Sequence, residues 1–140
     1  AVVDVWGAGR VGMHLAPRAD AHDMGDSQRA DTFGYVAKEL GKRGIAFICA
    51  REALAADSLG PMLKQQFGGV YISNEKFDKA SANQALADGI ADAVAFGVPF
   101  IANPDLVQRF AADAALNAAK PELFYASGKE GYTDYPFLVQ

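Results

Sequence analysis

Two short loops carry the residues best suited to hold an anion. Asn74-Glu75-Lys76 and Gly97-Val98-Pro99 each follow a short apolar run and precede a helical pattern. Loops so placed present backbone N–H groups to a phosphate, aided by a helix N-terminus. Gly97, lacking a Cβ, lets a ligand approach the backbone closely. The same loops also join strands to helices where nothing binds, so both uses stay open on pattern alone. A third motif, Gly7-x-Gly9-x-x-Gly12, matches the dinucleotide fingerprint and follows the strand-like Val2-Val3-Asp4-Val5. In a working fingerprint the third glycine sits inside the helix that receives the pyrophosphate. In this chain residues 11–15 have a strand pattern and Pro17 follows, so the glycines are expected to be turn residues at a helix end.

Single residues add less. His14 lies three residues before Pro17, near the carboxyl end of the first apolar run. In a (β/α)8 barrel that end faces the active site, while a core histidine bonded to backbone fits the position equally well. His22, in the polar stretch 18–29, has the setting of a solvated loop histidine. Cys49 is the single cysteine, and its apolar neighbours Phe47 and Ile48 mark it as an inert core thiol. No second histidine or carboxylate stands at ligand spacing, so no metal site is expected. The stretch 124–136 is rich in aromatics and glycines without helix or strand period, and is either a structural closure or a binding wall.

The elements that must position these residues are four apolar runs, at 11–16, 45–50, 70–73 and 91–96, each followed by a helical pattern. Near-continuous apolar strands indicate burial on both faces, as in a parallel sheet. Phe33, Val36, Ala37 and Leu40 form one helix face, with Asp31 a possible cap and Gly41 or Gly44 a stop. Pro61 suits a first helical position, and Gly68-Gly69 ends that helix. A third helix is predicted over 78–88, with Ala82, Ala85 and Leu86 inward, and Asn103-Pro104-Asp105 opens a fourth. Four β-α units in this length suit half of a barrel of about 250 residues. A small open doubly wound sheet is the alternative, but nothing in these runs protects its two edges.

Composition bounds the partners. With 51% hydrophobic residues and a formal charge of -4, the chain has a core to bury and lacks the clustered Lys and Arg that bind nucleic acid. One cysteine means no disulfide framework, which fits a reducing cytoplasm. No apolar run approaches the roughly 18 residues of a membrane span and no signal peptide is visible, so a cytoplasmic protein without membrane contact is expected. The start, Ala1-Val2-Val3-Asp4-Val5-Trp6, has no Met and has the pattern of the end of a packed element, as expected of a cut.

The runs Ala93-Val94-Ala95-Phe96-Gly97 and Phe100-Ile101-Ala102-Asn103-Pro104-Asp105-Leu106, with Gly131-Tyr132-Thr133-Asp134-Tyr135-Pro136, resemble the signatures of old yellow enzymes. The flavour is that of the bacterial xenobiotic and N-ethylmaleimide reductases, and the resemblance covers residues 11–136 in order, as strands five to eight of that family. It implies that residues 1–140 are the C-terminal half of a single FMN-binding (β/α)8 TIM-barrel domain. Such a barrel holds FMN noncovalently, takes hydride from NAD(P)H, and passes it to an activated alkene, nitro compound or nitrate ester. Carried over by position, Asn74, Glu75 and Lys76 with Gly97 and Val98 hold the FMN phosphate, and Tyr125 walls the substrate pocket. Ala21 and His22 fall in the loop at the pocket rim. Two departures stand out: Val98 occupies a place where most members have an arginine on the phosphate, and His14 one where they offer an arginine to the flavin ring. The resemblance places the proton donor and substrate-anchoring residues in strands one to four, so no catalytic residue is assigned to this chain. The implied partner is the N-terminal half of the barrel, or a second self-associated copy. A half-barrel that binds a phosphate ligand without turnover, and an NAD-binding domain resting on the glycine triplet, are the competing readings.

Overall fold

In a computed structural model of the chain, residues 1–18 and 25–138 are described. The chain divides into two compact units, Ala1–Ala95 and Phe96–Gln140.

The first unit holds helix α1 (Val2–Trp6), strand β1 (Gly12–Leu15), α2 (Arg29–Lys42), β2 (Phe47–Arg51), α3 (Gly60–Phe67), β3 (Val70–Asn74), α4 (Lys79–Ala87) and β4 (Ala93–Ala95). The strands form one sheet in the order β1-β2-β3-β4, every pair parallel. The four apolar runs are therefore strands, and the parallel order is what β-α-β crossovers produce. Gly7 ends α1 and β1 begins at Gly12, so the glycine triplet forms a helix end leading into a strand and receives no dinucleotide helix.

Side chains alternate across the sheet. Leu15, Ile48, Ala50, Tyr71 and Ser73 point to the helix side and are buried, and Ile48, Ala50 and Tyr71 join Ala37, Leu63 and Phe67 in one core. Between α2 and α3 there is no room for a side chain at Gly41, because a Cβ there would stand 2.3 Å from the Phe67 carbonyl oxygen. Gly41 is thus a contact residue inside α2, and the stop falls at Gly44, which takes a left-handed φ of 62°. Asp31 likewise sits in the first turn of α2 and does not cap it; the N-cap is Gln28. Asp78 does cap α4, in a reciprocal box with Ser81. Ala82 and Ala85 face inward as expected, while Leu86 is 42% exposed because the sheet side of this short helix is already filled by the two alanines.

At the amino end of α3 the buried Glu52 carboxylate accepts the Leu59 and Gly60 amides at 2.7 and 2.9 Å. It supplies two of the acceptors that a helix start lacks and matches the positive end of the dipole.

The second unit contains α5 (Val98–Ala102), α6 (Leu106–Ala111) and a 3-10 turn at Pro121–Leu123. Asn103 does not open α6; it follows the last residue of α5, is buried, and spends its side chain on the Pro99 carbonyl and the Asn117 amide. Asp105 takes the N-cap position instead. Among the described residues, no helix is long and apolar enough to cross a membrane.

Replacing Glu52 by Ala strands one buried and one part-buried amide, and we expect a loss of about 2–3 kcal/mol in unfolding free energy by urea titration. A loss below about 0.5 kcal/mol contradicts the capping role.

Candidate functional site

Because all four strands run the same way, their carboxyl ends meet at one rim. On the side away from the helices, the alternation brings His14 from β1, Cys49 and Arg51 from β2, and Asn74 from β3 to one face, with His14 opposite Cys49 and Arg51 opposite Asn74. This face is only partly covered: Phe47 is 37% and Val70 47% exposed, against 0% for Ile48 on the other side. His14 is exposed at the rim.

The turn after β3 is strained. Glu75 and Lys76 both have positive φ, 104° and 57°, although neither is glycine. Such backbone costs about 1–3 kcal/mol per residue and gathers at ligand-binding turns. Asn74 is tied down at the same point by its amide, which donates to the Ala95 carbonyl at 2.8 Å. Arg51 reaches over the turn and its Nε donates to the Glu75 carboxylate at 2.5 Å. Arg51 carries no pattern signal in the sequence, since it ends an apolar strand in a chain whose charges are scattered; only the register shows which face it shares with Asn74.

Two further titratable side chains of this sheet are shifted by their surroundings. Partial burial raises the Cys49 thiol above its ordinary range, which disfavours the thiolate. The Tyr71 phenol is also pushed up, first by burial and then by the Glu52 charge, and it belongs to the helix-side core. Among the described residues there is no group of three or more His, Cys, Asp or Glu that could hold a metal ion.

In the second unit a buried ion pair organises the tail. Arg109 Nε donates to Asp105 at 2.7 Å, and its terminal nitrogens donate to the carbonyls of Ala115 at 2.5 Å and Pro136 at 2.9 Å. The other Asp105 oxygen accepts the Leu138 amide at 2.5 Å. Asn117 adds bonds to Ala102 and Pro136, and the Lys120 amide donates to the Tyr135 hydroxyl. These bonds fix one wall of an open apolar cleft of about 490 Å³, lined by Gly97, Phe100, Ile101, Tyr132, Tyr135 and Phe137 among others. The Leu138 amide, followed by Arg109, holds the Asp105 carboxyl below its ordinary range.

The residues singled out from sequence are thus divided. His14, Asn74, Glu75 and Lys76 lie on the first unit's rim or the turn beside it. Gly97 and Val98 begin α5, both exposed, and Gly97 lines the cleft. Tyr125 is fully exposed and is not part of the cleft wall. Ala21 and His22 lie outside the described residues.

No family model matches the chain. It is 35% identical over 144 residues to a probable flavin mononucleotide-dependent alkene reductase of Leishmania infantum, a match that covers 99% of the chain and 39% of that protein. It is similar to the solved structure of morphinone reductase in complex with tetrahydroNAD, with a TM-score of 0.91 and 41% identity over 99% of the chain and 38% of the neighbour. A solved old yellow enzyme homologue from Zymomonas mobilis matches with a TM-score of 0.92 and 34% identity, covering 98% of the chain and 41% of that structure. The chain therefore spans about two fifths of the length of the proteins it resembles.

The electrostatics of the tail can be measured. Because the folded Asp105 pKa is depressed, its stabilising contribution is present above the unfolded value of about 3.9 and is lost as pH falls through the folded value. We expect the Leu138 amide proton, followed by NMR, to titrate with a midpoint below about 3.9, and the transition to disappear in Asp105→Asn. A midpoint at or above that value contradicts the contact.

Proposed function

We propose that the chain, similar throughout to old yellow enzyme homologues, is the C-terminal half of an FMN-dependent NAD(P)H oxidoreductase of that family that reduces activated alkenes. Its four parallel β-α units are half of a (β/α)8 barrel. Nitro compounds and nitrate esters are further substrates on this reading. The observation that carries it is the rim itself: one parallel sheet whose carboxyl ends gather His14, Asn74 and a left-handed turn on an uncovered face, the end at which barrels bind their ligands.

The residues present suit a phosphate-bearing flavin. The turn at Asn74, Glu75 and Lys76 offers curled backbone of the kind that surrounds anions, and Gly97 has open space where a Cβ would stand. Gly97 and Val98 complete that phosphate cradle on this proposal. The hydride chemistry is the flavin's when it is bound. The chain's own part would be placement: by the resemblance, His14 would donate a hydrogen bond to the ring and Tyr125 would face substrate, and Ala21 and His22, outside the described residues, are assigned to the pocket rim on the resemblance alone. No proton donor is assigned to this chain; that group comes from the N-terminal half of the barrel, the partner this reading requires. A second reading, a half-barrel that pairs with its own copy, is favoured by the two strands β1 and β4 that end the sheet.

The complete protein is expected to purify yellow and to oxidise NADPH in the presence of 2-cyclohexenone. A colourless protein that takes up no FMN overturns the proposal, and size-exclusion chromatography of the 140-residue chain separates the self-pairing reading. For His14→Ala in the complete protein, loss of a donor beside the reduced, negatively charged ring lowers the flavin potential by about 30 mV, the two-electron equivalent of ~1.4 kcal/mol. An unchanged potential removes His14 from the site.

A further inference from the structure

The side-chain cation at this rim is neither of the positions where the family resemblance leads one to look. Position 14 is histidine and position 98 is valine, so both sites of the expected arginines lack a permanent positive charge. Arg51 supplies one. It ends β2 directly opposite Asn74, and adjacent strands lie about 4.8 Å apart, so a guanidinium there easily spans the turn that follows β3. Its face is that of His14 and Asn74, the uncovered one, whereas its neighbours Ala50 and Glu52 are buried on the other side.

The way Arg51 is held points to a ligand. Only Nε is used, on Glu75; among the described residues nothing accepts from either terminal nitrogen, so two donors of the planar fork stay available. Glu75 in turn occupies a left-handed backbone position that disfavours any side chain, which makes its carboxylate an odd choice for structure alone. Both side chains remain accessible, at 49% and 26% exposure, and a pair so placed adds little to folding stability.

We infer that Arg51 is the side-chain anchor for the phosphate of the bound flavin, its free terminal nitrogens taking the phosphate while the Glu75 carboxylate holds the guanidinium in place at Nε. The inference rests on the FMN reading above and adds to it a residue outside the Asn74–Lys76 and Gly97–Val98 backbone cradle. A phosphomonoester presents two oxygens to the free fork, while the Glu75 carboxylate on Nε neutralises part of the charge that attracts it. Glu75 therefore opposes binding, and its removal strengthens it. Lys76, exposed on the same turn, adds positive charge but no fork.

The test compares FMN with riboflavin, which lacks the phosphate, using quenching of flavin fluorescence in the complete protein. Arg51→Gln is expected to weaken FMN binding by about tenfold or more and to leave riboflavin within about twofold. Glu75→Gln is expected to tighten FMN several-fold, again without effect on riboflavin, and the gain is expected to vanish in the double variant. Arg51→Lys keeps the charge without the fork and falls between. If wild-type protein binds FMN and Arg51→Gln binds it equally well, or loses FMN and riboflavin alike, the anchor is wrong while the flavin reading survives. If wild-type protein binds neither flavin, the flavin reading itself fails, and the anchor with it. Circular dichroism of each variant separates these outcomes from unfolding.

Discussion

A parallel sheet imposes one constraint from which most of this molecule follows: every strand delivers its last residues to the same edge. In a sheet of mixed direction, His14, Arg51, Asn74 and the Glu75-Lys76 turn would be scattered between two ends. With four strands pointing one way they become neighbours, although they are separated by up to dozens of positions in the chain. The helices that make parallel connection possible also decide which face is left for chemistry. They bury Ile48, Ala50 and Tyr71, and the alternating positions Phe47, Cys49 and Val70 lie on the other, only partly covered face.

The two kinds of charge in the molecule are used differently. Glu52 is buried at a helix start and spends both oxygens on backbone amides, so it is committed to the fold. Asp105 and Arg109 are buried as well, bonded to each other, and through Pro136 and Leu138 they tie α6 to the tail that walls the cleft. The Arg51–Glu75 pair is different in kind, being solvent-exposed, built on strained backbone and short of partners for its fork. Desolvated pairs whose bonding capacity is filled hold structure, while an exposed pair with donors to spare is free to exchange its partner.

Much of this was legible in the residues. The apolar runs located the four strands, although burial in this chain alternates and does not cover both faces as expected, and Pro61, Gly68 and Asp78 punctuated the helices where they should. Resemblance of the 93–106 and 131–136 motifs supplied the family. What failed was local and had one cause, tertiary demand overriding the role a residue type usually plays. Asp31 lies inside α2 because the helix begins earlier, at Arg29. Gly41 serves a backbone crossing and not a helix end, and Asn103 is spent on a distant amide. Leu86 points outward since two alanines already fill the contact. Arg51 was invisible for another reason: strand register, which sequence periodicity does not set between separate strands, is what puts it beside Asn74.

The hub at Arg109 also bears on how the second unit is made. Its guanidinium and the carboxylate of Asp105 wait for Pro136 and Leu138, which lie 27 and 33 positions further along the chain. On a ribosome adding about 5–20 residues per second, that interval lasts on the order of a few seconds. Throughout it the two ions have each other and the nearby Ala115 carbonyl but not the Pro136 and Leu138 groups, so burying them early carries a desolvation penalty that later bonds must offset. Closure of this unit is therefore timed by the arrival of its last strapping residues, and α6 stays wet until they come.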